Sequence, residues 1–468
     1  MKKHFLLALN LIFTTIFILL SSCSDNSSNA ILPNGKMVRL SQDEYISIAF
    51  DNPKEISEDQ AIRIADGFGE EMKSRGTSLS PTIEKKYYIN EKLLTRSSGM
   101  KSISIPIFQI NLNNSGRNGF ALVSADERCP CIIAYSKEGN IKDTIRNKGA
   151  EMMLKEAEVS LINNLYKYIF IRDSLRAKTL NKLSSEFGIK DIKFEQVKNR
   201  IIISNQATRS KVVPNPSTGL LWKEVKNLVT TKWNQTSPYN NALDNAKNPN
   251  ALGWGYNGKN AVGCTGIAIS QIVAYYEAIS SVYGINLNWT KIKQDPYITQ
   301  YGTDEDVKNQ VANFCKYIDI GIKTLWDDDG EGAANMKNSY EFLNSIGLTF
   351  ETGKKFNGFD MDAARIVESL DLGFPVFITG TAEAGTRSSN GAGNHCWILD
   401  GYQMRTRPIL TRAVVKANDV YIHANFGWGG DEDGYYMVDR YTTNLTFETY
   451  LNGKFNQNLK LYTCVRRK

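Results

Sequence analysis

Histidine is nearly absent: 468 residues hold three, His4, His395 and His423. So few imidazoles cannot build a histidine-rich zinc site, and no paired Cys-x-x-Cys motif supplies the thiolate alternative. A phosphate-cradling Gly-x-x-x-x-Gly-Lys sequence is also missing. Asp327-Asp328-Asp329-Gly330 resembles a calcium loop, but with Gly330 at the sixth position Leu325 and Met336 would stand first and last. Neither side chain is a ligand, so the segment reads as a turn. No metal or cofactor is expected. Repeats of solenoid or propeller period are absent as well. Net charge is only +7, and it is dispersed. The densest basic stretch, Lys178 to Arg200, is interleaved with Glu186, Asp191 and Glu195, which reads as a solvated face and not a nucleic-acid groove.

Long apolar runs are missing except at the start. Lys2 and Lys3 precede an apolar stretch from Phe5 to Leu20, followed by Ser21, Ser22, Cys23 and a polar tail. That order is an export signal, slightly short of the roughly 20 residues a spanning helix needs. Leu20-Ser21-Ser22-Cys23 resembles a lipobox, which predicts cleavage at 1–22, a lipid on Cys23 and attachment to a bacterial membrane; an ordinary cleaved signal or an uncleaved anchor is the plainer alternative. Cysteines are few and odd in number, at seven. Setting aside Cys23 and one reactive thiol leaves five, so a regular disulfide framework is not expected. Cys129-Pro130-Cys131 is a poor internal bridge because the proline stiffens a very small ring. Stability must come from packing, for which 42% apolar and 10% aromatic residues suffice.

The length implies two or three domains at roughly 150 residues each. A tether and folded section is expected at 23–207. Within it, Ser57-Glu58-Asp59-Gln60 offers a capping box, Phe120 to Ser124 a strand, and Glu151 to about Arg176 a long helix striped by Leu154, Leu161, Leu165 and Tyr168. Between Gln206 and Gly219, two prolines among small polar residues with Arg209 and Lys211 mark an exposed, easily nicked linker, set at 208–219. The section from 220 to 468 carries the candidate chemistry.

Gly263-Cys264-Thr265 leads into Ala268, Ile272 and Tyr275 at helical spacing, so a helix starts at or just after Cys264. A thiol there sits among unpaired backbone N–H groups at the positive end of the helix dipole, which favours the thiolate. Read alone, Cys264 is more simply a small buried residue. His395, in Gly393-Asn394-His395-Cys396-Trp397-Ile398, stands where a glycine loop enters an apolar strand. Paired with Cys264 it would be base and proton shuttle; alone it is equally a structural histidine. Strand alternation turns Cys396 to the opposite face, which reads as core packing. In His423-Ala424-Asn425-Phe426-Gly427-Trp428, Asn425 can accept a hydrogen bond from His395, with Trp428 shielding it, and His423 remains a weak rival base. Gln235, upstream, can supply an oxyanion-hole amide beside the Cys264 N–H, though alone it is an ordinary loop residue.

The order Asn-Gln…Pro-Tyr-Asn, Gly-Cys-x-x-x-x-x-x-Gln-Ile, Gly-x-His-x-x-x-x-Asp-Gly and Asn-aromatic-Gly-Trp-Gly-Gly resembles the streptopain family of bacterial cysteine proteases. The resemblance spans the whole last section, and more loosely joins the 23–207 section to that family's inhibitory propeptide. It implies an α+β fold, with a papain-like two-subdomain core at 220–468 preceded by an α+β inhibitory domain. It further implies a zymogen that hydrolyses protein substrates, with Cys264 as nucleophile, His395 as base, Gln235 as oxyanion donor and Asn425 as ring orienter. A preference for a bulky apolar side chain one residue back from the cut, on the acyl side, is implied too. Phe426 stands where members often have Trp, and the loop Thr381 to Ala392 is long, which weakens transfer of that preference. Two other classes remain open: a transglutaminase-like acyltransferase, which normally uses Asp where Asn425 stands, and a non-catalytic surface-binding lipoprotein, which leaves the four motifs unexplained.

Overall fold

The computed structural model describes residues 35–70, 79–95, 99–114, 117–139, 141, 147–203, 221–355, 363–382, 393–406, 418–438 and 460–468. The leader with Cys23, the linker 208–219 and residues 383–392 of the long loop lie outside them. Among the described residues no helix is long and apolar enough to cross a membrane. The chain divides into two compact units, residues 1–49 with 175–204, and residues 50–174 with 205–468.

In the smaller unit, β1 (Val38–Leu40) pairs in parallel with β6 (Ile201–Ile203). Ser41 and Glu44 close a capping box at the head of α1 (Gln42–Ala49), at 2.7 and 3.1 Å. Leu40, Ile48, Leu183, Phe187 and Val197 form its core, Val197 from the short helix α4 (Phe194–Val197).

The larger unit begins with α2 (Glu58–Glu70), capped as its sequence predicts: Ser57 N–H donates to Gln60 Oε1 at 2.9 Å and Gln60 N–H to Ser57 Oγ at 3.3 Å. Four antiparallel strands follow, β2 (Leu79–Thr95), β3 (Gly99–Asn114), β4 (Arg117–Ser124) and β5 (Ile132–Ser136). The predicted long helix is α3 (Lys148–Phe187), whose residues from Leu175 onward belong to the smaller unit.

Beyond the linker come β7 (Leu221–Val225), α5 (Cys264–Tyr276), the hairpin β8 (Ser281–Val282) with β9 (Ile285–Asn286), α6 (Trp289–Ile292) and α7 (Glu305–Gly321). Next are β10 (Leu325–Trp326) and β11 (Gly332–Ala333), joined by the Asp327–Gly330 turn, in which Asp327 Oδ1 accepts from Glu331 N–H at 2.9 Å. After α8 (Met336–Ser345), β12 (Leu348–Lys355) and α9 (Ala363–Asp371) the chain builds β13 (Val376–Ala382), β14 (Gly393–Thr406), β15 (Asn418–Asn425), β16 (Gly434–Val438) and β17 (Lys460–Arg467).

One antiparallel sheet runs β12-β17-β13-β14-β15-β16-β5-β4-β3-β2, with β7 also on β14. Its middle joins the two halves of the unit: β16 pairs with β5 through Tyr435↔Tyr135 and Tyr436↔Ala134. Because side chains alternate along a strand, β14 feeds two cores. Trp397 and Leu399 enter a core under the sheet shared with Phe68, Tyr135, Leu161 and Tyr421, while Cys396 and Ile398 enter a helical core with Trp233, Ile267, Ile272 and Phe314. The half beyond the linker is therefore two subdomains, one helical around α5 and α7 and one of sheet, in an α+β whole.

Candidate active site

Helix α5 begins at Cys264 itself, with Gly263 as N-cap and no side chain capping the end. Its first N–H groups are thus left for other partners, the condition an oxyanion site needs. Ile267 N–H closes the first turn on Gly263 O at 3.0 Å. Cys264 is half-buried against the helical core.

Two side chains from the start of β14 meet that thiol. They are the Cys396 thiol and the His395 imidazole, and both act on its protonation. Together, with Cys396 the larger influence, they hold the Cys264 thiol well below its ordinary pKa despite burial. The same contact with Cys264, together with burial, pushes the Cys396 thiol well up, so it stays protonated and donates. Thr265 Oγ1 lies 3.1 Å from Cys396 Sγ and fixes that sulfur. Cys396 is accordingly more than the core packing its alternation suggested. The alternation holds, but the helix carrying Cys264 packs on the Cys396 face of β14. His395 stacks on Trp397, two residues along, with ring centroids 6.0 Å apart.

The hydrogen bond expected between Asn425 and His395 is not formed. Asn425, 2% exposed at the end of β15, accepts from Gln271 Nε2 at 3.0 Å and donates to Thr231 O at 2.8 Å. Gln271, two helical turns after Cys264, also accepts from Trp233 N–H and Thr231 Oγ1, each at 3.1 Å. A buried amide must satisfy its donors and acceptors, and Asn425 is what Gln271 meets. His395 Nε2 is buried without a partner, as is Trp428 Nε1. Trp428 is half-buried against the sheet core, so it shields no His395–Asn425 bond here.

Gln235 is half-buried in the loop before the site, its carbonyl accepting from Val262 N–H at 3.2 Å, two residues ahead of Cys264. His423 is fully engaged elsewhere: Nδ1 meets Asp400 Oδ1 at 2.6 Å and Nε2 meets Asn227 Nδ2 at 3.0 Å, which removes it as a rival base.

Residues ahead of the linker close over this site. Asn147 Oδ1 caps α3 by accepting from Gly149 and Ala150 N–H at 3.1 and 3.2 Å. Gly149 lies so close that an added Cβ would stand 2.7 Å from His395 Cδ2 and 2.6 Å from Phe426 Cδ1. Nearby, Ser136 Oγ donates to Asp433 O at 2.5 Å, and Glu138 takes an ion pair from Lys232 at 3.2 Å and a hydrogen bond from Tyr297. Sequence reasoning missed Gly149, Gln271 and the second task of Cys396. Gln271 stood within the Gly-Cys motif and was findable as the one amide side chain on a mostly apolar helix. Gly149 carried no local signal.

Residues 233–436 match the Peptidase C10 family, and residues 53–160 match the Spi protease inhibitor. An inhibitor domain and its target in one polypeptide make this an autoinhibited cysteine peptidase zymogen acting on protein substrates. The chain therefore carries a Peptidase C10 (streptopain family) domain preceded by a Spi inhibitor domain. Among solved structures it is similar to a prointerpain A fragment of Prevotella intermedia, at 16% identity over 82% of this chain and 100% of that one, with a TM-score of 0.44. It is also similar to active wild-type interpain A cysteine protease of Prevotella intermedia, at 20% identity over 54% of this chain and 98% of that one, with a TM-score of 0.35. No curated protein sequence matches it.

Proposed function

We propose that the chain is an exported lipoprotein endopeptidase in which Cys264 is the nucleophile and His395 its proton shuttle. The observation that carries this reading is the meeting of the Cys264 thiol and the His395 imidazole at an uncapped helix start. The thiolate attacks a peptide carbonyl, and the oxyanion accepts hydrogen bonds from the Cys264 N–H and the Gln235 side-chain amide. His395 gives its proton to the leaving amine, then takes one from the water that opens the acyl-enzyme. Asn425 acts through Gln271, holding α5 against the end of β15.

Cleavage in the linker 208–219 separates residues 23–207 from the enzyme. With the lipid on Cys23, the inhibitory half stays at the membrane and the catalytic half is released. The test is casein hydrolysis by processed protein, with a thiol-directed peptide inhibitor and with Cys264→Ala. Loss of activity of about a thousandfold or more is expected; undiminished cleavage in the variant would eliminate the nucleophile. Cys23→Ser should move the uncut chain from membrane to soluble fraction, and an unchanged distribution would sink the anchor.

A further inference from the structure

The mechanism leaves unused a charged pocket beside the loop that carries Gln235. Lys232 and Tyr297, both half-buried and both beyond the linker, form its walls. Their backbones are tied, since Lys232 N–H donates to Pro296 O at 2.8 Å. Their side chains are tied as well: Lys232 Nζ donates to Tyr297 Oη at 2.9 Å and stands 5.3 Å from the centre of that ring. Gly430, buried and at a φ of +85°, closes the bottom; a Cβ there would stand 3.0 Å from Tyr297 Oη and 3.1 Å from Lys232 Cδ. In the uncut chain this pocket is filled from the inhibitory half. Glu138, two residues past the end of β5, places Oε2 3.2 Å from Lys232 Nζ and accepts a hydrogen bond from Tyr297 Oη. The same Glu138 oxygen lies 3.0 Å from where a Gly430 Cβ would be. The loop that delivers it is fixed locally, with Glu138 N–H donating to Ser136 Oγ at 3.2 Å.

We propose that Lys232, Tyr297 and the Gly430 backbone form a carboxylate-binding subsite of the mature enzyme, which Glu138 fills in the zymogen and a glutamate of the substrate fills after activation. Position supports this. Gly429 N–H donates to Trp233 O at 2.9 Å, and a Cβ on Gly429 would stand 3.1 Å from Asn234 Nδ2, so residues 232–235 run beside 428–430. One segment leads to Gln235, the residue assigned to the oxyanion, and the other starts at Trp428. Lys232 and Gln235 are three residues apart, a span of at most about 10 Å, which an extended substrate covers with about three residues. The subsite therefore reads a side chain within about three positions of the cut. Preorganisation supports it too. Loss of the inhibitory half removes Glu138 but none of the contacts between Lys232, Pro296 and Tyr297, all on the catalytic side. What remains is a cation and a phenol donor already aimed at one point, a pairing that holds a carboxylate by charge-assisted hydrogen bonds at little ordering cost.

The subsite rests on the endopeptidase reading, so the test has one arm that needs catalysis and one that does not. In the first, linker-cut protein is given a peptide series carrying Glu, Gln or Lys in turn at each of about three positions on either side of the cut. At one position Glu should raise kcat/KM about tenfold over Gln, with Lys below both. In Lys232→Met that Glu-to-Gln ratio should fall to about one, and in Lys232→Glu the preference should pass to Lys. No preference for Glu at any of these positions, or one that survives both variants, would overturn the subsite and leave Glu138 as a latch on the inhibitory half alone. In the second arm the same peptides, fluorescently labelled, are titrated into linker-cut Cys264→Ala protein and binding is read by anisotropy. Should the parent cleave none of the peptides, the endopeptidase reading fails and this arm decides the subsite by itself. Binding of one Glu peptide about tenfold tighter than its Gln counterpart, abolished by adding Lys232→Met, would uphold the subsite, and equal binding of the two would sink it.

Discussion

Gln271 and Asn425 tie the helix that presents Cys264 to the end of β15, and neither can be altered without stranding the other. Asn425→Ala removes the acceptor of Gln271 Nε2 and the donor to Thr231 O, both buried. A loss of about 1–3 kcal/mol, read as a lower urea midpoint, is expected alongside any loss of activity; a purely ring-orienting role would leave the midpoint in place. Burial pushes the Asp433 carboxyl up to about 7 and, with Asp431 adding, Glu432 to about 7. A carboxyl raised on folding contributes stability that is fully present in acid and lost as pH rises through about 7. The melting temperature of the full chain should therefore fall between about pH 5 and pH 8. Asp433→Asn, which keeps an oxygen for the Phe426 N–H at 2.8 Å, should flatten that fall, and an unchanged slope would refute the assignment. At this scale motif spacing named Cys264, His395 and Asn425 as candidates, but it did not show that Asn425 would bond Gln271 instead of His395. Their partners were less so, because alternation gives the face a side chain takes and not what packs upon it, as Cys396 illustrates.

At the scale of elements, the inhibitory half is held by a strand and a helix end. Gly434 opens β16 where β5 pairs with it, and a Cβ there would collide with Tyr135 O and stand 3.0 Å from Ser136 Cα. Gly149, in the first turn of α3, lies against His395 and Phe426. A side chain at either position must push the inhibitory half away or distort its seat. Gly434→Val and Gly149→Val should each speed thiol-probe labelling of Cys264 in the uncut chain, by about tenfold for a loss of about 1.4 kcal/mol in the closed state. Unchanged labelling in both would mean that neither contact closes the site. The start of α5 and the strand entered at His395 follow from apolar periodicity. The full length of α3 does not, since beyond Arg176 its buried positions, Leu183 and Phe187, serve a separate small core. The pairing of β5 with β16 was equally hidden: two partly matched strands distant in sequence give no local signal of each other.

For the molecule as a whole, inhibition is built into the sheet. The inhibitory strands extend the sheet of the catalytic half, and one apolar core runs beneath both, with Phe68 packed on Tyr135, Tyr421 and Tyr435. That continuity explains why composition and motifs revealed a two-part zymogen while leaving the junction itself unread. In the proposed mechanism one thiol does the chemistry and stays closed until the linker is cut. Its most direct measurement is mass spectrometry of labelling by a thiol-directed peptide inhibitor, before and after linker cleavage. A single adduct on Cys264 in the cut protein, with little or none in the uncut chain, is expected. An adduct on any other cysteine, or equal labelling of Cys264 in both forms, would contradict it.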